Sequence, residues 1–177
     1  MYPFLRLIWQ MFVHRNDPKV NFGETYVTHH ICWPWDLDLW WELNNGRTLT
    51  LFDMGRLPLG QASGLLKALK QNGWGLTVAG STPRYRRRIR MFDKITMKSV
   101  PVGWDDKFIY IEQSMWLSNG ECANHVLIRS AVTSKTGIVA PEKVAACMGH
   151  TGPSPDLGEW VKAWIEAETK RPWPPKH

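Results

Sequence analysis

Cysteine is scarce in this chain. There are three, Cys32, Cys122 and Cys147, far apart and with no C-x-x-C pair. An odd, scattered set excludes a disulfide framework and a zinc site and fits a reducing compartment, so a cytoplasmic protein with no metal is expected. A long apolar run is also missing. The most apolar stretch, MYPFLRLIWQMFVHR, is interrupted by Arg6, too short to span a bilayer, and lacks a small-residue cleavage site. It reads as an amphipathic helix over residues 2–14 packed on the domain, with weak contact to a membrane surface as the alternative. Absent too are the G-x-S-x-G elbow, the G-x-x-x-x-G-K-[ST] phosphate loop and H-E-x-x-H. Their absence disfavours a serine hydrolase, a P-loop nucleotidase and a zinc protease. No internal repeat occurs.

What is present is apolar mass and positive charge. The chain has 177 residues, 44% of them hydrophobic, with 11 Trp. That suits one domain, residues 1–177, with a substantial core and with aromatic side chains left over for pockets or interfaces. A net charge of +6 and a pI near 9.4 favour anionic partners: a nucleotide-bearing substrate, nucleic acid or an acidic membrane surface.

Local patterns order the chain. Alternation over residues 24–33 predicts a strand that Pro34 ends. His29 and His30 are adjacent, so in a strand they face opposite ways and make no metal site by themselves. A helix is expected from about Gly46, broadly apolar through Leu49, Leu51, Phe52 and Met54, and broken or kinked at Pro58. A second helical piece covers about 60–71. Strands are predicted over 75–88, 91–102, 107–117 and 121–133, with Ser118-Asn119-Gly120 as a hairpin and Trp104-Asp105-Asp106 as a turn. Strand after strand with short turns means an antiparallel meander. One apolar helix ahead of it makes an α+β domain in which the sheet wraps the helix. A short helix at 141–148, an amphipathic helix at 156–169 and a Pro-rich, mobile tail complete the reading, with the core at about 24–149.

The most informative stretch is WPWDLDLWWELNNGRTLTLFDMGR, residues 33–56. Asp36 and Asp38 lie two apart, Glu42 follows, and Asn44, Asn45 and Gly46 open the helix. Carboxylates then sit beside the first free N–H groups of a helix, where negative charge is stabilised. A water-activating carboxylate next to N–H donors is apparatus for attack on a carbonyl or thioester. Helix capping by Asn44 or Asn45, with the acids in solvent, is the plainer reading of the same residues.

D-x-D-x-x-x-E-L-N-N-G-R with an apolar helix behind it resembles the entry to the central helix of hotdog-fold acyl-CoA thioesterases. A second block, LTVAGSTPRYRRRIRMFDKITMKSVPVGWDDKFIYIEQSMWL, residues 76–117, resembles the strands that follow that helix. Together they cover most of residues 25–149. The resemblance implies a hotdog fold and hydrolysis of acyl-CoA to free acid and coenzyme A. Coenzyme A enters as part of the substrate, and no further cofactor is implied. It also implies pairing into homodimers, or dimers of dimers, with each active site at the dimer interface. By the same resemblance Asp38 is the catalytic carboxylate, acting as base toward water or as nucleophile. Asp36 is expected to orient the loop through its backbone. The Asn44–Gly46 junction supplies oxyanion donors. The chain departs from the family at Glu42, where many relatives have His. Glu42 is open to three roles: assisting Asp38, raising its pKa, or stabilising the helix start. No Asp precedes a His by five residues, the spacing of the hydratase branch of the superfamily.

Trp40 and Trp41, beside the acids, are candidate substrate-binding residues. So are Arg84, Arg86 and Arg88 in the run RYRRRIR. In a continuous strand Arg84, Arg86, Arg88 and Arg90 share one face, with Arg87 on the other. Guanidinium forks suit the pyrophosphate and 3′-phosphate of coenzyme A. A nucleic-acid surface needs interleaved aromatics, and Tyr85 is the one aromatic in the run, so no nucleic-acid partner is expected. A non-catalytic hotdog module binding acyl-CoA or a lipid-like ligand is the alternative to the enzyme, and a basic nucleic-acid-binding domain is the third reading.

Overall fold

The computed structural model describes residues 2–175. Helix α1 (Phe4–Val13) leads to strand β1 (Tyr26–Ile31) and a 3-10 turn at Pro34–Asp36. Helices α2 (Asn45–Ala62) and α3 (Leu65–Asn72) follow. Then come β2 (Gly75–Tyr85), β3 (Lys94–Trp104), β4 (Ile109–Leu117), β5 (Cys122–Ser134) and the two-residue β6 (Gly137–Ile138). Helices α4 (Pro141–Cys147) and α5 (Glu159–Lys170) close the chain. The strands form one antiparallel sheet in the order β1-β3-β4-β5-β2, with β6 pairing β5. This is the α+β arrangement anticipated above, with α2 held against the sheet.

The core sits between α2 and one sheet face. Leu51, Phe52, Met54 and Leu59 of the helix meet Ile95, Met97, Ile111, Met115, Val126 and Ile128 of the strands. A buried polar bracket fixes the depth of contact. Gln113 on β4 donates to the Phe52 carbonyl at 3.0 Å and to Ser99 Oγ at 2.9 Å, and accepts from Arg56 at 3.0 Å. Strand alternation turns Tyr110 and Leu127 to the opposite face, where Val161, Trp164 and Ile165 of α5 cover them.

Several boundaries differ from the sequence reading. The central helix does not break at Pro58. It carries that proline inside and runs to Ala62, and the break falls at Ser63-Gly64, where Gly64 takes a φ of 84°. Pro58 is buried, so packing offsets the lost backbone bond. The piece expected at 60–71 is α3, 65–72. The C-terminal helix starts at Glu159 rather than at 156, behind Gly158, and the N-terminal helix is 4–13 rather than 2–14. The strand expected over 75–88 ends at Tyr85. There the backbone N–H groups of Arg86 and Arg87 both reach the Ala123 carbonyl, at 2.9 and 3.1 Å, and strand alternation stops. The tail assigned to residues 170–177 is described as far as Pro175, and its last two residues lie outside the described chain.

Candidate active site

The site is built where the link from β1 to α2 passes the link from β2 to β3. Leu43 N–H donates to the Ile89 carbonyl at 2.8 Å, and Glu42 forms a bridge with Arg90. These contacts bring the D-x-D stretch against the arginine run.

Asp36 points inward and is 1% exposed. Its carboxylate accepts from Arg6 at 2.7 Å and from the Trp33 N–H at 3.1 Å, and lies 3.6 Å from Arg47. Its carbonyl accepts from the Asn44 N–H at 2.9 Å. One acid thus ties α1, the 3-10 turn and the first turn of α2 together. Both its oxygens face cations inside the fold, and the side chain is closed off from solvent. Beside it, the Cys32 thiol is pushed up to about 12, first by burial and then by the Asp36 and Asp93 charges. A thiol in that state is inert.

Asp38 opens a tight hairpin closed by the Leu37–Leu43 bridge. Its N–H donates to the Glu42 carbonyl at 2.9 Å, and its Oδ1 accepts from the Trp40 N–H at 2.8 Å. Oδ2 takes no hydrogen bond among the described residues. Trp41 adopts a φ of 57°, which lets the tip turn. The tip carries Leu39, Trp40 and Trp41, 88%, 73% and 73% exposed. Three large apolar side chains thrust into water beside a carboxylate make a surface that gains by being covered.

Asn44 caps α2. Its Oδ1 accepts from Gly46 N–H at 2.9 Å and Arg47 N–H at 3.2 Å, and its carbonyl from Thr48 N–H at 2.8 Å. Of the three residues read as oxyanion donors, Asn44 and Gly46 therefore have their N–H groups engaged. The Asn45 N–H has no acceptor among the described residues.

Glu42 turns toward Arg88, with Oε2 2.9 Å from Nε. The pair is close but not aligned as a hydrogen bond, so Oε2, hidden from solvent, has a counter-charge and no donor. Glu42 and Asn45 line a groove of about 180 Å³ with Tyr85, Arg86, Arg87, Arg88 and Asn124. The three arginines lie together because the strand has ended, so Arg87 does not face away from its neighbours as alternation required. Arg87 also pairs with Glu121 at 2.9 Å. Arg84 is still in β2, opposite His125, and does not line the groove. Asp38, Trp40 and Trp41 sit on the adjoining hairpin, outside its lining.

Asn124 is the residue that sequence reasoning missed. It lies on β5 opposite Tyr85, is 4% exposed, and its Oδ1 has no hydrogen-bond partner among the described residues. A single Asn inside a strand carries no motif, and strand register alone brings it to the groove. The groove thus presents two shielded acceptors, Glu42 Oε2 and Asn124 Oδ1, beside a helix N-terminal N–H and a bank of guanidinium donors. Among the described residues no group of three His, Cys, Asp or Glu is placed to hold a metal ion.

Comparison with known proteins bears on the family and the fold. A family model described as the thioesterase-like superfamily matches residues 32–165. A frog (Xenopus laevis) relative named Protein THEM6 is 32% identical over 139 residues, covering 77% of this chain. The chain spans 65% of that relative's length. The Escherichia coli YbaW probable thioesterase superposes with a TM-score of 0.65 at 21% identity, over 69% of this chain and 95% of that one. The Staphylococcus aureus protein SAV2348, solved in complex with CoA, superposes with a TM-score of 0.64 at 13% identity, over 81% and 95%. The chain belongs to the thioesterase-like superfamily and has the hotdog fold.

Proposed function

We propose that this protein hydrolyses acyl-CoA thioesters to the free acid and coenzyme A, in the cytoplasm and as a homodimer. The observation that carries the reading is the start of α2, where the Asn45 N–H and the arginines line one groove and the hairpin bearing Asp38 adjoins it. Water attacks the thioester carbonyl as a carboxylate takes its proton; the C–S bond then breaks, the carboxylic acid returns that proton to the departing sulfur, and coenzyme A leaves as the thiol. The Asn45 N–H holds the developing oxyanion, where a helix N-terminus favours negative charge. Arg86 and Arg88 hold the phosphates of the coenzyme. The family membership and the neighbour crystallised with CoA support this substrate class.

Asp38 is the proposed catalytic carboxylate, acting through its open Oδ2. One observation favours a second reading in which Glu42 is the base: Glu42 lines the groove with Asn45, and Asp38 does not. Free-thiol release over a panel of acyl-CoA chain lengths tests the function. Asp38→Asn should lower kcat by roughly 10²-fold or more with the melting temperature unchanged, the usual worth of a positioned acid–base group. Glu42→Gln should leave kcat near the parent value. The reverse pattern transfers the role to Glu42. No turnover of any chain length, with tight acyl-CoA binding retained, would make the domain a binding module.

A further inference from the structure

Helix α1 wears its apolar face outward. Phe4, Leu5, Ile8, Trp9, Phe12 and Val13 recur at one helical stripe, and all are 48–84% exposed. The opposite face, with Arg6, Leu7, Gln10 and Met11 partly buried, is docked. Arg6 binds Asp36 and donates to the Ile31 carbonyl at 2.9 Å, while Gln10 reaches the His29 carbonyl at 3.4 Å. The helix thereby shields the free edge of β1. A helix that packs on a globular domain to bury apolar surface is oriented the other way round, so this stripe is not there to hold the fold.

The stripe continues into its surroundings. Leu5 and Trp9 share an open groove of about 710 Å³ with Trp33 and Lys94. Trp33 stacks on Trp35 at 5.4 Å and meets Phe92 edge-on at 6.0 Å, and Trp35 and Phe92 are exposed. The charge beside this surface is positive. Arg15 lies over the Phe12 ring at 4.0 Å and Lys94 lines the groove, while α1 itself contains no Asp or Glu.

We propose that this face docks on a phospholipid bilayer carrying anionic headgroups, with α1 lying in the plane of the interface. Tryptophan and phenylalanine on one helix face, with flanking cations that reach past the rings, suit the boundary between headgroups and acyl chains. The chain's net charge of +6 is complementary to an anionic leaflet. The proposed contact is with the bilayer surface, and no helix of the described residues is long and apolar enough to cross a membrane. It also leaves the other edge of the sheet unused. β1 and β2 are the two ends of the strand order, so pairing of two copies through β2 would leave α1 uncovered.

The experiment is flotation of the full chain with vesicles of phosphatidylcholine, with and without phosphatidylserine. Binding is expected to the anionic vesicles, weaker by roughly tenfold on neutral ones and weakened by salt. Ile8→Glu and Trp9→Glu together should reduce binding by roughly tenfold or more while the melting temperature stays unchanged, since both side chains are exposed in the free protein. Trp9→Phe should reduce the fluorescence blue shift seen on mixing with vesicles, the remainder coming from Trp33 and Trp35 on the same face. Three results would overturn the proposal: no flotation with either vesicle, equal flotation with both, or flotation indifferent to the double substitution. A parent that does not float, and whose dimer mass falls to monomer in the double variant, would make the stripe an interface between copies instead.

Discussion

Asn124 illustrates how a single buried group separates stability from function. Its amide oxygen has no hydrogen-bond partner among the described residues, so removing it in Asn124→Ala strands no donor. The change should leave stability within about 1 kcal/mol, since deleting an unpaired polar group offsets the small cavity left behind. If the groove holds substrate, kcat/KM should fall well beyond that, as read from thioester turnover beside a denaturation curve. His30 carries the opposite lesson. It is buried on β1 with Nε2 2.8 Å from Thr28 Oγ1, and its pKa drops to about 3, chiefly by burial and then by the Arg6 charge. The unfolded chain, with an ordinary His pKa near 6.5, binds the extra proton first. The stability His30 contributes is therefore fully present above about pH 6.5 and is lost as pH falls from there toward about 3. Urea midpoints measured from about pH 7 down to about pH 4 should show this decline, and His30→Gln should flatten it. A parallel decline in the variant would move the cause elsewhere.

At the scale of elements, α2 is set by how closely it approaches the sheet. A Cβ on Gly55 would lie 2.3 Å from Met97 Sδ and 3.1 Å from Thr28 Oγ1, and both neighbours are fully buried. Alanine is the better helix former by about 1 kcal/mol. Overpacking costs about 1–3 kcal/mol, so Gly55→Ala should be net destabilising, seen as a lower melting temperature. An unchanged or raised melting temperature would mean Met97 can move aside. The presence of this helix was legible from its apolar pattern, and its capping from Asn44 or Asn45, of which the structure uses Asn44. Its length was not, because Pro58 reads as a break in sequence and is accommodated only by burial. The end of β2 was illegible for a related reason. RYRRRIR alternates well enough to continue a strand, but the shared Ala123 carbonyl ends it, and no local signal announces that.

Across the whole molecule, the two edges of the sheet are treated differently. α1 covers β1, whereas β2, 11 residues long and mostly exposed, leaves its outer edge open at the end of the strand order. An open edge of that length is a template for another strand, and pairing between two copies is the proposed use. Val78, about half exposed on β2, is the point to test. Val78→Arg should shift the mass measured by light scattering from dimer to monomer. It should also lower kcat/KM, because the proposed site lies at the interface and the exposed hairpin tip would lose its cover. A parent protein that is monomeric at every concentration would sink the dimer reading.

The sequence by itself determined the class of domain and the order of its elements. Apolar periodicity, the Ser118-Asn119-Gly120 turn and an asparagine cap at 44 or 45 are local signals, and local geometry obeyed them: Gly120 takes a φ of 83° and Asn44 accepts two N–H groups. It also singled out the stretch that carries Asp36, Asp38 and Glu42. What each acid faces was decided by contacts between residues far apart in the chain. Asp36 is buried between Arg6 and Arg47, Glu42 meets Arg88, and Asn124 joins the groove through strand register. Tertiary structure likewise left the main apolar stripe of the N-terminal helix facing water. Amphipathicity is a property of sequence, but which face a helix shows to water depends on what the domain offers its polar side, here the buried Asp36 and the open carbonyls of β1.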